Sequence, residues 1–189
     1  MSTDDGTLFL ALLALAAATG TLVLWIAVAV SAISRGDGPA RHLLDAVGRQ
    51  ALALAALVAV TATAGSLWLS EGAGFPPCKL CWYQRIAMYP LAVVLTIAAV
   101  RRDDRARLSG IVLALGGAAV SVWHVLIEHY PSLSSSSTCD PTNPCSIRWV
   151  EEFGFLTIPT MALIGFLTIT TLLLLPHPPD DDPALEASA

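Results

Sequence analysis

Apolar residues gather in five long blocks, at residues 8–33, 50–70, 86–100, 108–127 and 155–175, and no block contains Asp, Glu, Lys or Arg. A helix crossing about 30 Å of hydrocarbon takes roughly 20 apolar residues. The pattern therefore predicts membrane-spanning helices and an all-α integral membrane fold. The block at 86–100 has only 15 residues, so its helix has to begin earlier, near Leu80 or Cys78. The first block has the position of a signal peptide but not its make-up. No basic segment precedes it, it follows Asp4 and Asp5, and it exceeds the roughly 7–15 apolar residues of a signal core. It reads as a retained helix.

Composition agrees with this reading. Of the 189 residues, 55% are hydrophobic and 13% charged, with a mean hydropathy of +0.67, which is too little polar surface to coat a soluble globule. The net charge of −5 comes mainly from Asp4, Asp5, residues 180–182 and short loops. These are solvated ends that point to no basic partner, and no nucleic-acid partner is expected. The basic residues orient the chain. Arg35, Arg41 and Arg49 separate the first two blocks, and Arg101, Arg102, Arg105 and Arg107 separate the third and fourth. With five spans these loops share a face, which then carries seven of the ten basic residues. That face is cytoplasmic by the positive-inside rule. The expected arrangement is a multi-pass cell-membrane protein with its N-terminus outside, its tail inside and all four cysteines on the extracytoplasmic side, where disulfides persist.

The cysteines form two pairs, Cys78-x2-Cys81 and Cys139-x5-Cys145. Redox exchange, two static disulfides and a four-thiolate zinc site are all open to such a set. Two features favour exchange. A helix beginning near Cys78 places the first pair in its first turn, after Pro76 and Pro77, where the backbone dipole and unpaired N–H groups favour thiolate. The second pair lies in SSSSTCDPTNPCS, a polar stretch without helical period that is expected to move. Arg85 follows Cys81 by four residues and so shares its helical face at membrane depth. A charge there is costly and commonly functional, although long basic side chains also snorkel to headgroups. Trp82 and Tyr83 suit the interfacial belt. His124, near the outer end of the fourth block, reads by itself more readily as a packing or interfacial residue than as a proton donor. Residues 146–154, SIRWVEEFG, space Ile147, Val150 and Phe153 as an amphipathic surface helix would. Pro159 is expected to bend the last helix.

The segments PCKLCWYQRIAMYP and WHVLIEHYPS, the second cysteine pair ending PCS, and FGFLTIPTMALIGF occur in that order. Together they resemble the disulfide bond formation protein B family of membrane thiol:quinone oxidoreductases, in particular its short-loop Gram-positive and archaeal branch. The resemblance covers residues 50–175. It implies a four-helix disulfide-generating core there, with residues 1–49 as an additional N-terminal transmembrane helix (about 8–33) and a cytoplasmic linker, and residues 176–189 as a disordered acidic tail. It further implies a relay. A thioredoxin-like extracytoplasmic disulfide oxidase would attack Cys139 of the loop disulfide, and Cys145, once released, would attack Cys78. Cys81 would be left as a thiolate facing a membrane quinone, ubiquinone or menaquinone. By the same resemblance Arg85 stabilises the thiolate and the quinone oxygen, while Gln84 and His124 border the pocket; no metal is expected. A vitamin K epoxide reductase-like enzyme is the nearest rival, but it carries its Cys-x-x-Cys in the last core helix. A four-cysteine metal-binding membrane module is the non-enzymatic alternative.

Overall fold

The computed structural model describes residues 3–34, 38–133, 139 and 142–176. Apart from Pro176, the expected acidic tail lies outside the described residues, as does most of the polar run before Cys139. The described chain is helical: α1 (Thr3–Ile33), α2 (Pro39–Arg49), α3 (Ala51–Leu67) with a π-helical turn at Trp68–Gly72, α4 (Lys79–Arg101), α5 (Ala106–His129) and α6 (Ile158–Leu174). Among the described residues four helices are long and apolar enough to cross a membrane, α1, α3 with its π turn, α4 and α5, while α6, in the fifth expected block, is a shorter apolar helix of 17 residues. At 1.5 Å per residue, the 23 residues of α4 extend about 34 Å. This is a multi-pass, all-α membrane bundle. As the 86–100 block required, its helix starts earlier, at Lys79 with Cys78 as the N-cap.

Helices α3 to α6 enclose the main core. Leu91, Leu95, Phe166, Ile169, Leu172 and Leu173 are buried there among Ala55, Ala59, Ala114 and Ala118. Small residues let the backbones approach closely, which is how helices associate where lipid removes the usual hydrophobic drive. Gly117 is the sharpest case, because a Cβ there would fall on the Phe166 ring. Helix α1 packs along α6 and reaches α2.

Of three local features, the first adds to the sequence expectation and the other two differ from it. Residues 39–49 form α2, with Leu44 and Gly48 buried and Arg41 paired to Asp45 at 3.1 Å along the helix. Eleven residues are too few to register as a span. Residues 146–154 do not form a surface helix. Glu151–Glu152 pairs antiparallel with Leu156–Thr157, and Phe153 and Gly154 turn the chain at φ 55° and 78°. Two successive left-handed residues cannot continue a right-handed helix, whatever the apolar spacing. Pro159 does not bend α6. It sits in the first helical turn, where its missing N–H deprives no carbonyl of a partner.

Candidate functional site: two cysteine pairs around an apolar cavity

Pro76 and Pro77 bring the chain into α4, and Cys78 caps it in an extended conformation, φ −72° and ψ 173°. Its Sγ accepts the Cys81 backbone N–H at 3.4 Å and lies 3.0 Å from Cys81 Sγ. A sulfur in the capping position takes the place of the oxygen that usually satisfies a helix's unpaired N–H groups. The Cys78 thiol is held well below its ordinary range, to about 4, chiefly by the hydrogen bond with the Cys81 side chain. Burial pushes the other way, and His124 and the Cys81 N–H add to the lowering. In this free-dithiol state the favoured thiolate is Cys78.

The second pair packs onto the first. Cys139 and Cys145 are joined in a disulfide with Cα atoms 5.8 Å apart, and both are buried in one cluster with Cys78, Leu80 and Ile127. Asn143 Nδ2 donates to Pro76 O at 3.4 Å, holding the loop against the α4 N-terminus. Phe75 stacks on Trp149 with ring centroids 5.7 Å apart. His124 of α5 stands between the pairs. Its Nε2 is 3.1 Å from Cys145 O and 3.6 Å from Cys78 Sγ, and its buried Nδ1 has no hydrogen-bond partner.

Beneath Cys78 and Cys81 lies a cavity of about 310 Å³ whose walls are mostly apolar and which Gln84, Arg85, His124 and Glu128 also line. Arg85 is only 8% exposed. Its Nε donates to Ser66 Oγ at 2.9 Å, and its Nη2 donates to Ser66 O at 2.7 Å and to Ser70 Oγ at 2.9 Å. The guanidinium also lies 5.3 Å from the centre of the Trp82 ring. Every one of these partners is neutral, and among the described residues no carboxylate pairs with Arg85. A buried cation without a counter-ion is expensive, and the expense falls when an anion arrives. Gln84 Nε2 donates to Ser121 Oγ at 3.0 Å, fixing that amide on the cavity wall.

Comparison with known proteins agrees with these residues. The sequence profile of the disulfide bond formation protein DsbB matches residues 48–176. The chain belongs to the DsbB family. It is 44% identical to disulfide bond formation protein C of Bacillus subtilis over 113 residues, 60% of this chain and 82% of that protein. Over 118 residues, 62% of this chain and 81% of the relative, it is 42% identical to a probable disulfide formation protein of Oceanobacillus iheyensis. A probable disulfide formation protein C of Halalkalibacterium halodurans is 40% identical over 113 residues, 60% and 82% of the two chains. No solved structure matches. As a member of the DsbB family the chain is a disulfide-forming membrane protein.

All seven residues singled out in the sequence converge on this end of the bundle. Five of them, Cys78, Cys81, Gln84, Arg85 and His124, line the cavity, and the disulfide-joined Cys139 and Cys145 are buried in one cluster with Cys78. Sequence reasoning did not single out Ser66, Ser70 or Ser121, the acceptors that hold Arg85 and Gln84. It also overlooked Glu128, which is buried, accepts from Thr157 Oγ1 at 2.8 Å and borders the cavity. A charged residue inside the 123–132 motif, one helical turn after His124, was the available signal. The apolar blocks could not indicate which faces meet.

Proposed function

We propose that this chain is a thiol:quinone oxidoreductase that reoxidises an extracytoplasmic thioredoxin-like dithiol oxidase, with its cysteine end outside the cytoplasm. The observation that carries the reading is Arg85, a buried cation with no counter-ion among the described residues, which shares an apolar cavity with the Cys78–Cys81 dithiol. The fit to a quinone follows from the chemistry of the donor set: apolar walls for a hydrophobic ring, a guanidinium for an oxygen gaining negative charge, and the unpartnered His124 Nδ1 beside it. A quinone bound there supplies a two-electron acceptor.

The protein's own residues perform the exchange. The partner's thiolate attacks Cys139 Sγ, breaking the Cys139–Cys145 bond and releasing Cys145 as a thiolate. When Cys78 and Cys81 are joined, Cys145 attacks Cys78 Sγ and Cys81 leaves as the thiolate. Attack by the partner's second thiol on the sulfur bonded to Cys139 releases the oxidised partner, and Cys139 displaces Cys78 from Cys145. The loop disulfide is then restored and Cys78 and Cys81 are free, the state described above. Closure of the Cys78–Cys81 bond gives up two electrons and two protons in the cavity. Arg85 holds negative charge at that point, and His124 keeps the two pairs in register.

The test is quinone-dependent oxidation of a reduced thioredoxin-like protein by the purified chain in lipid, with each cysteine replaced in turn. Cys145→Ser is expected to trap the partner on Cys139. Trapping on Cys78 or Cys81 would reverse the order. A metal-binding reading has one observation in its favour, since ligand atoms of Cys78, Cys81 and His124 lie within 4.8 Å of one another. Stoichiometric zinc in the purified protein, lost with any one of these residues, would replace the redox reading.

A further inference from the structure

The helix that precedes the matched residues takes part in the cavity. Leu10, Leu13, Ala14 and Ala17 of α1 line it, opposite Leu57, Thr61 and other residues of α3. These four α1 positions span about 10 Å along the helix axis. The attachment of α1 is specific. A Cβ at Gly6 would fall on the Trp68 ring, and one at Gly65 would lie 2.7 Å from the Leu10 side chain, so α1 and α3 approach closely at both glycines. Thr21 and Thr168 share a buried hydrogen bond of 2.9 Å, and Trp25 Nε1 donates to Thr171 Oγ1 at 3.1 Å, joining α1 to α6. At the cysteine end, Thr7 Oγ1 donates to Glu152 Oε1 at 2.9 Å.

Register along the helices divides the cavity. Ser66 meets Arg85 and Gly65 meets Leu10, so Leu10 lies at the level of the guanidinium. Leu13, Ala14 and Ala17 follow deeper in the bundle, at the level of α3 residues earlier than Gly65, because α1 and α3 run in opposite directions. The deeper part contains no charged side chain. We propose that α1 is a wall of the quinone site, and that Leu13, Ala14 and Ala17 contact the isoprenoid tail of a quinone whose ring lies beside Arg85. This assignment rests on the quinone reading. The tail is the occupant because the apolar depth is continuous with the charged end that takes the ring.

The experiment measures binding to the full-length protein in detergent by quenching of tryptophan fluorescence. One quinone carries a long isoprenoid tail, and the other is the same ring without it. The natural chain is expected to bind the tailed form at least about tenfold more tightly. Ala14→Phe, which places a ring in the deep part, should remove most of that preference while binding of the bare ring stays within about twofold. Leu13→Ala, which adds no bulk, should weaken tailed binding about three- to tenfold and leave the bare ring unchanged. The quinone KM in turnover should follow the same order. Equal effects on both quinones, or none on either, would overturn the assignment. So would loss of co-purifying phospholipid from Ala14→Phe with tailed binding intact, since an acyl chain would then be the occupant. If α1 variants change nothing while Arg85→Met weakens both quinones, only the α1 wall fails. If the natural chain binds neither quinone, the quinone reading fails with it.

Discussion

Replacing Arg85 by methionine separates a catalytic cation from a structural anchor. The side chain commits Nε and Nη2 to Ser66 and Ser70, which leaves Nη1 without a protein acceptor among the described residues. A hydrogen bond from a charged donor contributes about 1.5–3 kcal/mol. Losing one at an oxygen that becomes negative should therefore cost about 10- to 150-fold in kcat/KM for the quinone. Stability should move the other way or not at all, because an apolar chain of similar length removes a buried charge that has no counter-ion among the described residues. Ser70 Oγ retains its own bonds to Ser66 O and Leu67 O, so of the three acceptors only Ser66 Oγ loses the partner shown for it. Arg85→Lys keeps the charge but lacks the fork, and should fall between the two. The assay pairs steady-state quinone reduction with single-turnover exchange between the chain and a reduced thioredoxin-like protein. Exchange should be unchanged within about twofold, since Arg85 touches neither Cys139 nor Cys145. An unchanged kcat/KM for quinone together with a lowered melting temperature would make Arg85 an anchor and refute the reasoning.

Other tests follow from the same geometry. The depressed Cys78 pKa means that the free-dithiol protein keeps its thiolate absorbance near 240 nm as pH falls from 8 to 5, losing it only toward about 4, whereas an ordinary thiol titrates near 8.5. Cys78→Ser should abolish that signal. Because the folded pKa lies below the unfolded one, stability of the reduced protein should rise with pH between these two values, and a flat denaturation profile would contradict the assignment. His124→Phe removes the contacts of Nε2 with Cys145 O and Cys78 Sγ and should slow exchange between the two pairs about fivefold in quenched-flow trapping. Gly117→Val should destabilise the bundle by about 1–3 kcal/mol in denaturant titration, because the Phe166 ring it meets is fully buried. Gly116→Ala, facing open space, is the control and should change little.

Much of the site was legible because membrane helices leave few choices. An apolar block has to be a helix when no water can satisfy its backbone, and a block too short to span placed Cys78 and Cys81 at a helix start. The step from Cys81 to Arg85 then put thiol and cation on one face. His124 was ambiguous, since nothing local distinguishes a packing histidine from one standing between two cysteine pairs. The surface helix expected at residues 146–154 failed because apolar spacing carried less weight than the left-handed turn at Phe153 and Gly154.

The sequence alone determined the all-α membrane class, the placement of the first cysteine pair at a helix start and the family to which residues 48–176 belong. These depend on local composition and short motifs, which the chain displays without folding. Only the tertiary structure decided that Ser66 and Ser70 hold Arg85, that the Cys145 carbonyl meets His124, and that α1 closes the cavity against α3. Those contacts join residues well separated along the chain, and they depend on which helix faces meet. Long-range packing of small residues, Gly6 on Trp68 and Gly117 on Phe166 among them, selects those faces, and the periodicity of an evenly apolar helix carries no record of the choice.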